Sequence, residues 1–273
     1  MSQKTILIEL FQPYAQYRNP FTFYYAQTYP LPPKSTIIGM LQNATNKFYA
    51  QEFWDIKVSV HGGFESVFWN YQQLIKGDVT FKKLNDKITL WNQKLPLYNN
   101  GISSQRTPVY QQELFNGHLC IFLRGEGELI NEIENALKNP QKILSLGRSE
   151  DIIFIKNVYN ENEWEYKNKE VKKYFHLTYP TYIRQKNDNE EKFPIKNEKF
   201  PVYSITTKVI FSNDGKPITN KAQISQKTER IPDFESVIYT GVDYIILLEK
   251  PINLEYFYLN DKMFKIPEGF GWI

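Results

Sequence analysis

Lys34, Ser35 and Thr36 follow the stiff lead-in Tyr29-Pro30-Leu31-Pro32-Pro33 and precede Ile37, Ile38, Leu41, Ala44 and Phe48 at helical spacing. Proline fixes φ and disfavours helical geometry in the residue before it, so the helix cannot reach back past Pro33. Its start is expected at Ser35 or Thr36, either of which can cap it. A helix start presents unpaired backbone N–H groups and the positive end of the peptide dipole. With the Lys34 ammonium alongside, that chemistry suits a phosphate, although the same residues also make an ordinary capped core helix. A second segment, Leu144-Ser145-Leu146-Gly147-Arg148-Ser149-Glu150-Asp151, runs into the apolar strand Ile152-Ile153-Phe154-Ile155. Gly147 lets a backbone approach a ligand closely, Arg148 offers a planar fork of donors, and Ser149 adds a hydroxyl.

Catalytic chemistry has fewer candidates. Metal-free RNA cleavage needs a base, an acid and a cation within hydrogen-bond reach of one phosphate. His61, His118 and His176 are the only histidines, and none stands at metal-ligand spacing with another His, Cys or carboxylate. No phosphate-binding P-loop and no Gly-x-Ser-x-Gly elbow occurs. The expectation is therefore no catalytic residue, no metal and no cofactor. Cys120 is the single cysteine, which excludes an internal disulfide and fits a reducing compartment. Without a leader or an apolar run of spanning length, the chain is expected to be cytoplasmic and to make no membrane contact.

These residues must be positioned by a scaffold. The 273 residues include 19 Tyr, 19 Phe and 5 Trp, and aromatic side chains favour strands. The 33 basic and 30 acidic residues leave a net charge of only +3, so nucleic acid would be gripped by a focused set of cations, or with help from partners. Strands are expected at Thr5–Phe11, Ile56–His61, His118–Arg124 and Ile152–Ile155. Helices are expected from Ser35 to Tyr49 and around Leu129, Ile130, Ile133, Ala136 and Leu137, ending near Pro140. That order predicts an α+β, ferredoxin-like (RRM-like) βαββαβ domain over residues 1–160, with both phosphate motifs near the ends of neighbouring central strands. Residues 65–117 exceed an ordinary loop and read as an insertion rich in aromatics and lysines, with a local hairpin about Asn85-Asp86-Lys87. Residues 161–200 read as a charged linker with a short strand, and 201–273 as a smaller β-rich C-terminal part. The tail Gly269-Phe270-Gly271-Trp272-Ile273 reads as a strand closing a sheet, or as a glycine-rich RNA contact.

Taken together, Phe11-Gln12-Pro13-Tyr14-Ala15-Gln16-Tyr17-Arg18, Gln27-Thr28-Tyr29-Pro30, the Pro-Pro-Lys-Ser-Thr step and Gly147-Arg148-Ser149 resemble the CRISPR-associated Cas-five family, over roughly residues 4–155. Such a resemblance implies the subunit of a type I Cascade surveillance complex that holds and caps the 5′ handle of the guide RNA (crRNA). Its implied partners are that RNA, the backbone subunit, the large PAM-recognising subunit and, indirectly, target DNA. The 65–117 insertion would be a β-hairpin thumb lying on the guide. The RNA-binding set is then Lys34, Ser35, Thr36, Gly147, Arg148 and Ser149, followed by Arg18, Gln27, Tyr29 and Arg106. Tyr17, Tyr71 and Trp91 are candidates for stacking on unpaired bases. One branch of the family cuts precursor guide RNA with a tyrosine at the first helix start and a Lys-His pair at the second. Here those stretches read Lys34-Ser35-Thr36-Ile37 and Gly125-Glu126-Gly127-Glu128-Leu129, where carboxylates would repel the phosphate. The departure points to a non-cutting, type I-B-like subunit. A metal-independent endoribonuclease that processes precursor crRNA is the alternative.

Overall fold

In a computed structural model that describes residues 3–22, 25–76, 105–196, 199–225 and 228–273, strand β1 (Gln3–Ala15) buries Ile6, Ile8 and Leu10 on one face and Leu7 on the other. Apolar side chains on both faces need cover on both, which suits a central strand. After it come β2 (Tyr25–Ala26), α1 (Lys34–Thr45), β3 (Lys57–Lys76), β4 (Gln105–Glu126), α2 (Gly127–Lys138) and β5 (Phe154–Asn160). The sheet runs β5-β1-β4-β3 with every neighbouring pair antiparallel, and β2 pairs in parallel with β4 where β1 has ended.

Helices α1 and α2 cover one face. Ile37, Ile38, Leu41 and Ala44 from α1, with Leu129, Ile130, Ile133 and Leu137 from α2, form one core with alternate residues of β1, β3 and β4. The C-terminal half supplies β6 (Glu165–Val171), β7 (Tyr174–Leu177), β8 (Tyr182–Arg184), β9 (Val202–Asn213), β10 (Lys216–Pro217), β11 (Glu229–Tyr239), β12 (Tyr244–Leu247), β13 (Ile252–Leu259) and β14 (Lys262–Pro267). They form three smaller sheets, β10-β9-β11-β8, β12-β7 and β14-β13-β6. Phe257, Leu259, Phe264 and Ile266 of β13 and β14 pack on Leu7 and Phe122, covering the second face. The result is a mixed α+β fold, mostly strands, with two α-helices among the described residues.

Several expectations need correction. Helix α1 starts at Lys34 with Pro33 as its N-cap and no side-chain cap, so neither Ser35 nor Thr36 caps it. It stops at Thr45, where Asn46 turns left-handed (φ 60°), and Phe48 falls outside the helical stripe. The 65–117 stretch is no separate insertion at its base: β3 and β4 run outward as one ribbon, paired from Lys57↔Arg124 to Lys76↔Gln105. Alternating burial fades beyond Phe64, so the ribbon's outer part carries no core pattern to betray its strands. The hairpin about Asn85-Asp86-Lys87 lies outside the described residues. The expected linker 161–200 contains β6, β7 and β8, each paired with a C-terminal strand. β6 is an exposed edge, and its lysines and glutamates are the residues that keep such an edge from pairing further. The tail makes no strand, yet Ile273 exchanges backbone hydrogen bonds with Val58 of β3 at 3.0 and 2.9 Å.

Candidate nucleic-acid interface

The end of β1 is bolted to the loop that precedes β5. Gln12 is fully buried; its amide donates to the carbonyl oxygens of Leu146 (2.7 Å) and Asp151 (3.2 Å), and its own oxygen accepts from the Tyr17 hydroxyl at 2.5 Å. Buried Asp151 Oδ2 accepts from the backbone N–H groups of Gln16 (3.0 Å) and Arg148 (2.8 Å). Gly147 sits between them at φ 116°, where a Cβ would stand 2.7 Å from Asp151 Oδ2 and 3.1 Å from the Gln16 carbonyl oxygen. Only glycine fits that corner. Arg148 closes it, donating from Nη2 to Asp151 Oδ1 (2.8 Å) and from Nη1 to Glu113 Oε1 (2.9 Å). Burial works against its charge, but the bonds to Asp151 and Glu113 outweigh that and hold its pKa above the ordinary value.

The start of α1 faces this corner. Thr36 and Ile37 donate their N–H groups to the Pro33 carbonyl at 3.0 and 3.2 Å, while those of Lys34 and Ser35 have no partner among the described residues. Ser35, Thr36, Gly147 and Arg148 line a single hollow of about 570 Å³, so two motifs remote in sequence do converge. Thr206 of β9 and Arg230, Pro232 and Phe234 of β11 form its far wall. Arg18 and Arg230 are both exposed there, and neither has an ion pair among the described residues. Phe234 (39% exposed) touches Phe21 (65% exposed), their ring centroids 5.1 Å apart. Arginines, hydroxyls and an open helix start can hold phosphate oxygens, and an exposed aromatic pair can stack on a base.

Other predicted residues lie elsewhere. Strand alternation in β11 sends Asp233 and Glu235, and the bulge that leaves Thr207 of β9 unpaired sends it and Lys208, into an adjoining groove of about 330 Å³, and Lys34 lines that groove instead of the hollow. Burial there pushes the Lys34 ammonium down to about 8, against the pull of Glu235 and Asp55. Ser149 is exposed and donates to Glu150, away from the hollow. Tyr17 and Tyr29 border it but are buried. Tyr17 packs edge-on against Phe64, and the Tyr29 hydroxyl donates to the Ser204 carbonyl at 2.5 Å, so neither ring is free to stack. Gln27 is exposed outside the hollow. Tyr71 lies far along the ribbon, edge-on to Tyr110, which stacks on Tyr25. Arg106 of β4 pairs with Ile75 of β3; its side chain, and all of Trp91, lie outside the described residues.

Sequence reasoning missed Gln12, Asp151, Arg230 and Phe234. The first two stood inside motifs already singled out. The last two flank Pro232, which reads as a strand breaker but is tolerated in β11. Of the histidines, His61 is buried beside the Ser59 hydroxyl (3.1 Å), and burial pushes its pKa down to about 3. His118 is exposed, 3.4 Å from the Lys156 ammonium and packed on Phe11. His176 pairs with Asp243 at 2.6 Å. Among the described residues no cluster of His, Cys, Asp or Glu is arranged to hold a metal, and no helix is long and apolar enough to cross a membrane.

Comparison with known proteins identifies the family. Residues 5–242 match the family model described as CRISPR-associated protein (Cas_Cas5). No curated protein matches the chain in sequence. Similar solved structures include a chain of a CRISPR RNA-guided surveillance complex, at 12% identity over 88% of this chain and 91% of that one with a TM-score of 0.49. A second, a Cas protein, matches at 14% identity over 90% and 95% with a TM-score of 0.41. A third, a CRISPR protein from Archaeoglobus fulgidus, matches at 10% identity over 96% and 98% with a TM-score of 0.38. With the family model spanning most of its length, this chain belongs to the CRISPR-associated Cas-five family.

Proposed function

We propose that the chain is a non-catalytic subunit of a type I CRISPR surveillance complex that grips the 5′ handle of the crRNA in the hollow between β1, α1 and β11. The observation that carries this reading is the convergence of Arg18, Arg230, Ser35 with its free N–H group and Thr36 beside the Phe21–Phe234 pair. Phosphates would sit on the cations and the helix start, and an unpaired base on the aromatic rings. On this reading β5-β1-β4-β3 with its two helices is a ferredoxin-like βαββαβ core and the β3–β4 ribbon its thumb, with exposed Trp69 and Tyr71 beside the guide. On the same reading the backbone and large PAM-recognising subunits are its neighbours in antiviral DNA targeting, and the intact Pro-Pro-Lys-Ser-Thr step with the missing tyrosine and Lys-His pair supports a type I-B-like setting. A second reading, a metal-independent endoribonuclease, draws on exposed His118 beside Lys156.

One experiment addresses both readings. The assembled complex carrying Arg18→Ala/Arg230→Ala is expected to lose handle RNA at lower salt than the wild type, and the slope of log affinity against log salt should fall by about one per arginine. Unchanged retention across the salt series would remove the hollow from the RNA path. In EDTA, labelled repeat RNA should stay intact with the wild-type chain. A product ending in a 2′,3′-cyclic phosphate that disappears in His118→Ala would establish the enzyme instead.

A further inference from the structure

Beyond the RNA-binding hollow, we propose that the outer edge of β5 docks an extended acidic–apolar segment of a partner protein, which joins the central sheet as an added strand. Residues 144–146 occupy this edge only as far as Ile153: Leu146 N–H donates to the Asp151 carbonyl and Ile153 N–H to the Leu144 carbonyl, both at 3.0 Å. From Phe154 to Val158 the edge has no backbone partner besides β1 among the described residues. A bare edge is a template for another strand, and proteins normally blunt it with charge. β6, an edge of another sheet in this molecule, is blunted in that way by Glu165, Lys167, Lys169 and Glu170. β5 is not.

Alongside the bare edge lies a groove of about 990 Å³, floored by Leu137, Leu144, Ile153 and Val158. Its lips carry exposed aliphatic surface, Ile143 at 77% and Ile152 at 39%, and Phe154 is 56% exposed. An added strand would place alternate side chains into this groove while its backbone paired with β5. The rim sets the charge of the occupant. Lys142 donates to Asn46 Oδ1 and Lys156 lies against His118, so neither ammonium meets a carboxylate. Lys138 is already paired with Glu134, and the Glu163 carboxylate accepts from the Asn160 N–H. The remaining rim charge is positive and calls for glutamate or aspartate between the apolar residues. A second copy of β5 would bring lysines against lysines. Aliphatic walls and a free backbone edge offer little to a nucleic-acid base.

The full-length chain should be titrated with a labelled peptide of about six residues that alternates Glu with Val or Ile, the length of an ordinary strand. The same peptide with Lys replacing Glu is the control. The acidic peptide is expected to bind and to slow amide hydrogen exchange at residues 154–158, and the lysine peptide to do neither. Ile143→Glu/Ile152→Glu should weaken binding at least roughly tenfold with an unchanged thermal midpoint. Lys142→Glu/Lys156→Glu should reverse the preference, which keeps the test decisive if the first variant misfolds. Equal binding of both peptides, absent protection at 154–158, dimerisation that protects those amides, or their protection by single-stranded RNA would each overturn the proposal.

Discussion

A single carboxylate, Asp151, organises the corner where β1, the Gly147 loop and β5 meet. It is buried, and it accepts from two backbone N–H groups and from the Arg148 guanidinium, which compensates the cost of its charge. Arg148 is therefore a clamp on protein. Arg148→Ala would leave Asp151 buried with its principal cation gone, and is expected to cost on the order of 3 kcal/mol in urea unfolding. Arg18→Ala and Arg230→Ala, at exposed positions, should each change stability by less than about 0.5 kcal/mol. An Arg148→Ala protein of normal stability that fails to retain RNA would reassign Arg148 to the ligand. The motif Gly147-Arg148-Ser149 was legible as a special backbone corner. Its partner was not, because a guanidinium fork fits a carboxylate as well as a phosphate and sequence cannot say which one faces it. Arg18 was legible as a cation near the site, whereas Arg230 stood two residues before Pro232, which masks the strand both belong to.

At the scale of elements, α1 separates two chemistries across one turn. Ser35 and Thr36 face the hollow, while Lys34 is half-buried in the mixed-charge groove beyond it. Its pKa of about 8 lies below the ordinary 10.5, so between those values the unfolded chain holds a proton that the folded chain has lost. Stability consequently rises with pH across that window, and the full cost of the buried charge is present below pH 8. Lys34→Met is expected to stabilise the protein at pH 7 by on the order of 2 kcal/mol, the gap over wild type closing as pH approaches 10.5. Urea denaturation of both proteins at several pH values measures this, and a gap that stays constant with pH refutes it. The core-forming stretches of α1, α2, β1 and β4 were readable because burial imposes a period on them. The ribbon and β6 were not, since their pairing is satisfied by backbone bonds and both faces meet solvent for much of their length.

In the whole molecule the halves of the chain share one core. Tyr182, Ile205, Val237 and Ile273 pack in the same cluster as Ile6 of β1, Ile38 of α1 and Ile121 of β4. Tyr182 also donates its hydroxyl to the Leu31 carbonyl at 2.9 Å, Arg124 of β4 pairs with Glu255 of β13 at 2.9 Å, and Trp272 both bonds that glutamate and lies under the Arg124 guanidinium. A boundary near residue 160, natural from composition, therefore cuts through packed side chains instead of a linker. The same division would remove β9 and β11, and with them the far wall of the hollow. Elements that share a core unfold together. The full chain is expected to melt in one cooperative transition, with calorimetric and van't Hoff enthalpies in agreement. A fragment of residues 1–160 should give a collapsed amide spectrum and no measurable affinity for handle RNA. Two separate transitions, or a fragment with dispersed resonances, would show that the N-terminal part stands alone, and the grip on RNA would then have to be sought on β1, α1 and the Gly147 loop without β11.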